Sequence, residues 1–446
     1  MKTEIAEKVI GYISSLSGLK GEVFCVSSRN ISVEAKDGQV EALQRADVAG
    51  FSVRVLNGLR QGLCYCNDFS QWKEVADKAL EISKWTEPDQ FTDYPPGGAS
   101  YQQVDIYDQD VANATEDYII ERAMEVEREA LAFDPKVKKV RKAMAGFSVH
   151  EVLIANTQGL WGSYTSTSCS ASATVLAEGE GQSQMGWGFE TDRFLGAVSA
   201  QRVGKSAADR AVKLLGARPP HAAVKSPVIL ESSIAAEFLE IIASSLSSDN
   251  VQKGKSLLAC RVGQEIASGN IHIVDNALLP GKTGTRPFDA EGVPSQRNDL
   301  VTNGVLNGFL YNTYTARKSN GKSTGNAVKG GISGLPSVGI SNLYIEPASG
   351  DCAYPIDSLI QLMGRGLLIT DVMGVHTANR ISGDFSIGAS GLWIEHGRLS
   401  HPIKEAVISG NLITLLKNIS AVGSDLCFYG NIGTPALMVN DVDISG

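Results

Sequence analysis

From Thr3 to Ser17 apolar side chains recur every three to four positions. Ile5, Val9, Ile13 and Leu16 form one stripe, Thr3 can cap it and Gly18 can end it, which predicts an amphipathic helix. The period then shortens to two. Val23–Ala35, Gln39–Gln44 and Phe51–Leu56 read as strands of an antiparallel meander, because Asp37-Gly38 and Asn57-Gly58 between them are hairpin turns. A second helix is expected from Ser70 to Trp85. The stretch Thr86–Ser100, with Pro95-Pro96-Gly97-Gly98, then reads as a linker, so a first domain is expected over residues 1–90.

A helix is expected next from Thr115 to Phe133, striped by Ile119, Ala123, Val126 and Ala130 and stopped at Asp134-Pro135. Strands follow at Phe147–Ala155 and at Tyr164–Val175, where small polar residues alternate with small apolar ones. A helix from about Lys205 to Gly216 ends before Pro219-Pro220, which sets a second domain at 106–220. The third, over 225–446, is dominated by turns and short strands and contains one long apolar helix. That helix follows the strand Pro227–Leu230. Ile234, Ala235, Phe238, Leu239, Ile242 and Leu246 share its core side, and Glu237, Glu240, Ser244 and Ser248 share the other. The expected class is α+β: an N-terminal antiparallel sheet with flanking helices, a mixed middle, and a barrel- or sandwich-like C-terminal half.

Composition narrows the function. A formal charge of −9 argues against a nucleic-acid partner, since phosphate backbones are bound by concentrated Lys and Arg. The charged start Met1–Glu4 lacks the apolar core of a secretory signal, and no uncharged apolar run approaches the length that spans a membrane. A cytoplasmic protein without a membrane partner is expected. Seven cysteines at irregular positions form no disulfide framework, and Cys64-Tyr65-Cys66 reads as a pair of ordinary thiols on one face of a strand.

Several motifs tempt and fail. Gly-Lys-Ser or Gly-Lys-Thr starts at Gly204, Gly254, Gly281 and Gly321, yet the glycine that a phosphate loop needs five residues earlier is replaced by Ser199, Asp249, Asn276 and Ala316. His150-Glu151 is followed by Val152, Leu153 and Ile154 and offers no second metal ligand within a helical turn. His396 and His401 are separated by a turn, His376 stands in a polar loop, and Gly388-Ala389-Ser390-Gly391 has the wrong spacing for a nucleophile elbow.

Longer segments carry a resemblance. Arg261–Ser268, Asp289–Arg297, Gly383–Ser386 with Gly388–Trp393, and Ile408–Leu412 resemble the TldD/PmbA family, also called modulators of DNA gyrase. The last two segments are similar to the PmbA (TldE) branch. The resemblance implies a cytoplasmic metalloprotease of two related subunits that acts on unfolded or small peptides, including peptide-antibiotic precursors and antitoxins. In the TldD-type subunit a central helix carries His-Glu, three residues, then His, and a later Gly-Thr-Cys adds sulfur. Aligned through Arg261–Ser268, this chain has Leu239 at the first His, Glu240 at the general base and Ser244 at the second His. Its Gly433-Thr434-Pro435 lacks the cysteine.

Leucine cannot coordinate zinc, a serine hydroxyl is a poor ligand, and proline offers only a carbonyl. The expectation is therefore a PmbA/TldE-like subunit with no metal of its own, whose zinc sits in a TldD-like partner. A self-paired form is also compatible with this reading. Ser244, Arg297 and Asp384 are candidates for contacting peptide, and Glu240 is a vestige of the general base. Two rivals stay open: a peptidase acting alone through a site around Asp384, His376 and Arg297, and a non-proteolytic regulator that binds gyrase or another partner.

Overall fold

The computed structural model describes residues 1–446 except 221, 349, 351 and 352. Its first half is one six-stranded antiparallel sheet, β1 (Leu19–Lys36), β2 (Gln39–Asn57), β3 (Arg60–Cys66), β4 (Val137–Asn156), β5 (Trp161–Gly179) and β6 (Gln182–Asp192), in the order β3-β2-β1-β4-β5-β6. The sheet crosses the Pro-Gly-rich linker. β1 pairs β4 from Glu22–Asn156 to Ala35–Ala143, so the sections 1–90 and 106–220 share one hydrogen-bonded ladder. At the β1–β2 hairpin Asp37 and Gly38 have φ of 54° and 71°, the mirror-turn geometry that suits the twist of paired strands.

The strands outrun their expected lengths, and each excess has a cause. Gln39–Gln44 and Phe51–Leu56 are one continuous β2, whose first part is an exposed edge where Arg45 and Asp47 hide the alternation. β4 begins at Val137, because Lys138, Lys139, Arg141 and Lys142 are exposed while Val137 and Val140 turn inward. β6, rich in glycine and glutamine, carries little apolar signal.

Helices α1 (Lys2–Ser14) and α2 (Trp72–Ser83) pack on one end of the sheet, over Val23, Cys25, Phe51 and Val53. The short α3 (Gln109–Ala112), α4 (Glu116–Phe133) and α5 (Ala200–Lys213) cover the other end of the same face, over Val33, Ala145, Ala171 and Ala173. Asp108 and Thr115 cap α3 and α4, each accepting a backbone N–H of the first turn, and Ser199 does the same for α5. Gly186 and Gly188 let α5 lie against β6: a Cβ there would stand 2.2 Å from the Ala207 carbonyl and 2.3 Å from that of Val203. The alternation in Tyr164–Val175 is thereby explained. Its small apolar residues lie under the helices, and Ser168 and Ser170 point to the opposite face.

The C-terminal half is a closed five-stranded barrel. β7 (Val224–Leu230) runs parallel to Gly366–Met373 and antiparallel to Leu437–Ser445, and Asp384–Glu395 and Arg398–Asn411 continue the sheet. Pairing of Val407–Ser409 with Asp443–Ser445 shuts it. A second six-stranded sheet, built from short segments between Ile273 and Thr434, flanks the barrel. The barrel core and α6 (Ser232–Ala243) share one apolar cluster that includes Val228, Leu230, Phe238, Leu239, Ile369 and Ile408. Phe288, from a loop of this half, plugs onto Phe24 and Ile154 of the N-terminal sheet and onto Leu160 of the β4–β5 turn. No helix among the described residues is long and apolar enough to cross a membrane.

Candidate functional site

α6 is the element on which the sequence-predicted site turns. It starts where β7 leaves the barrel, and its first five residues, Ser232 and Ser233 as well as the apolar Ile234, Ala235 and Ala236, are all buried. Leu239 is 1 % exposed and lies in the barrel core. After Ala243 the helix tightens into a 3-10 turn. There the Ser244 hydroxyl donates to the Ile241 carbonyl at 2.9 Å, and the Ser244 carbonyl accepts from Asn250 at 2.7 Å. Glu240 is exposed.

Gly433-Thr434-Pro435 does come to this helix. Thr434, fully buried, donates its hydroxyl to the Ser232 carbonyl at 2.6 Å, and Pro435 beside it is buried. Ser232 in turn meets the Tyr429 hydroxyl at 3.1 Å.

Beside the helix lies a cleft of about 360 Å³, lined by Glu237, Glu240, Val372, Val375, His376 and Arg380. Glu237 is the group that sequence reasoning passed over as surface. Burial, then the nearby charges of Asp371 and Glu240, push its carboxyl up to about 7. Asp371 is also raised by burial, against the opposing pull of Arg210 and a hydrogen bond from Trp187.

Arg210, at the end of α5, ties this region to the first half. It pairs with Glu231 at 2.6 Å, donates to the Thr370 carbonyl at 2.9 Å, and stacks 4.5 Å over the Trp187 ring. No local motif signals this junction, since its members are spread from Trp187 to Thr370.

The remaining predicted residues divide. His376 and Glu240 share the cleft. Asp384 closes the loop that carries His376 and Arg380, its carbonyl accepting the Asn379 N–H at 2.9 Å, and its exposed carboxylate accepts from Asn411 at 2.9 Å and Ser382 at 2.8 Å. Arg297 belongs to the flanking sheet, where Asp299 at 2.7 Å and Glu346 at 2.8 Å engage its guanidinium. A larger hollow of about 830 Å³ lies on the N-terminal sheet. Its charged lining is already engaged, Glu151 by Lys2, which lowers its carboxyl, and Arg29 by the Ala112 carbonyl.

Against known families, three consecutive models match. The PmbA/TldA metallopeptidase domain 1 covers residues 21–83, the central domain 109–215 and the C-terminal domain 223–446. The chain belongs to the PmbA/TldD family. A metalloprotease PmbA homolog of Haemophilus influenzae is 28 % identical over 441 residues, covering 97 % of this chain and 94 % of that protein. The metalloprotease PmbA of Escherichia coli O157:H7 is 27 % identical, covering 95 % and 92 %. Among solved structures, a candidate modulator of a DNA gyrase from Thermotoga maritima superposes with a TM-score of 0.93 at 26 % identity over the full length of both chains. TldE of Thermococcus kodakarensis has the same fold, with a TM-score of 0.89 at 22 % identity over 99 % of this chain and all of that one.

PmbA/TldD metallopeptidase chemistry implies zinc, which is held by imidazole, thiolate and carboxylate donors. Leu239 is hydrocarbon in an apolar core, the Ser244 hydroxyl is turned to its own helix, and Pro435 is a buried imino ring. These three do not fit zinc. Among the described residues, no three His, Cys, Asp or Glu side chains gather where they could hold a metal ion.

Proposed function

We propose that this chain is the PmbA/TldE-like, non-coordinating subunit of a two-subunit metalloprotease. It pairs with a TldD-like chain that brings the zinc, helps enclose the reaction space, and presents unfolded or small peptides to it. Peptide-antibiotic precursors and antitoxins are the substrate classes this reading points to, and the cytoplasm is its compartment. The observation that carries it is Leu239. At the position that the resemblance gives to the first histidine, the side chain is built into the barrel core, so a ligand there would have to leave the apolar cluster that holds α6.

In this reading the chain's own residues position and exclude. Glu240 and Glu237 line the α6 cleft, where the described residues offer no zinc donor set, and this reading gives neither a general-base role. The Arg210–Glu231 pair fixes α6 against the first half, and a bound peptide meets a rigid wall.

The test is reconstitution. The isolated chain should leave an unfolded peptide intact, and mixing it with a purified TldD-like subunit should raise hydrolysis several-fold, with loss on chelation. Hydrolysis by the partner that is indifferent to the mixture would overturn the proposal. A peptidase acting alone is the second reading, favoured only by His376 and Glu240 meeting in one cleft. Metal-dependent turnover by the singly expressed chain, abolished by His376→Ala, would establish it instead.

A further inference from the structure

The barrel has a second opening, at the end opposite α6. α6 leaves from the C-terminal end of β7, whereas the residues at the other end of that strand, Val224–Pro227, line a cavity of about 580 Å³. One row of inward side chains runs through it by strand register: Val439 pairs Val228, Val228 pairs Leu367, Leu367 pairs Trp393, and Trp393 pairs His401. The first three are fully buried and Trp393 only half. A core row thus ends in an indole that still faces open space, with Ile403 and Ile444 completing the floor.

The rim carries both signs. Gly366 pairs Ile394, so the next positions outward, Arg365 and Glu395, stand opposite each other across the same two strands. Strand alternation puts them on the side of Leu367 and Trp393, and both line the cavity. Both are exposed, and among the described residues neither joins an ion pair with the other or with a third group. An apolar well of this volume in a barrel mouth, with a few convergent polar groups, is the ordinary form of a small-molecule site. Lys225, also exposed, lines the same cavity as a second cation. Arg365 and Glu395, a cation and an anion directly across one strand pair, match the two ends of a zwitterion.

We propose that this mouth binds a free amino acid or short peptide with a large apolar side chain, its carboxylate at Arg365, its ammonium at Glu395 and its side chain against Trp393. The site shares no lining residue with the α6 cleft. The proposal therefore stands or falls separately from the subunit role above.

Titration calorimetry on the isolated full chain tests it, with four probes: phenylalanine, phenylalanyl-phenylalanine, N-acetyl-phenylalanine and phenylalanine amide. Saturable binding is expected for one or both zwitterions, and whichever binds tighter identifies the source. The acetylated and amidated probes should bind about tenfold more weakly or worse, the loss of one charge-assisted bond. Arg365→Gln should abolish the preference for phenylalanine over its amide, and Glu395→Gln the preference over the acetylated form. Ile403→Trp, which fills the well, should abolish binding while leaving the circular dichroism and melting transition of a folded chain. No saturable heat with any probe, equal binding of all four, or undiminished binding by a folded Ile403→Trp would each overturn the proposal. Quenching of Trp393 emission, absent in Trp393→Phe, gives a second readout that folding alone does not mimic.

Discussion

Leu239 decides what α6 can be. With its side chain in the core, Leu239→Ala should cost about 2–5 kcal/mol, the usual range for truncating a buried leucine, as read by urea denaturation. Leu239→His is the sharper experiment. It places an imidazole among Phe238, Ile242 and barrel aliphatics with no ligand set around it, so it should destabilise the fold and create no stoichiometric zinc site on metal analysis. Glu237 offers a pH test. Its folded carboxyl titrates near 7, above the ordinary 4.5, so the folded state holds this proton more tightly than the unfolded one. Its contribution is fully present below about 4.5 and is lost as pH rises through about 7. Glu237→Gln should therefore melt like the parent near pH 4 and at a higher temperature than the parent above pH 7.

Among elements, α5 is held by two different devices. On β6 it needs glycine, and Gly188→Ala would bring a Cβ against the Val203 backbone, which cannot move aside as a side chain would. A loss of about 1–3 kcal/mol is expected, typical of overpacking. At its far end α5 relies on Arg210. Arg210→Ala leaves Glu231 half-buried and unpaired, and should raise hydrogen exchange in α6 more than in α1, because α6 is the element the pair anchors. Helices were the more legible elements in the sequence. Their apolar stripes, caps and terminating glycines and prolines are local, and α1, α2 and α4 lie close to where the pattern puts them. The apolar pattern gives strands too short wherever one side faces water, as in the first parts of β2 and β4, and gives no strand at β6, where glycine replaces apolar residues. The α6 cleft was half legible: Glu240 and His376 stand out by type, but nothing in the chain order announces that Arg380 and Asp371 come to the same helix.

At the scale of the whole molecule, the linker at 86–100 separates two stretches of chain without separating two sheets. β1 is bordered by β2 on one side and β4 on the other, so residues 1–100 expressed alone would present the whole β4-facing edge of β1 to solvent. That fragment should aggregate or stay unfolded by circular dichroism and sedimentation, whereas residues 1–220 should melt as one cooperative unit. The barrel imposes a comparable demand in time. β7 is synthesised early in its half, yet its antiparallel neighbour begins only at Leu437, and the seam closes only when Asp443–Ser445 reaches Val407–Ser409. Until the ribosome has delivered that last strand, β7 lacks one of its two neighbours and the barrel stays open along that edge. During that interval the open edge is a transient hazard, and shortening the chain by the final strand alone should make it a permanent one.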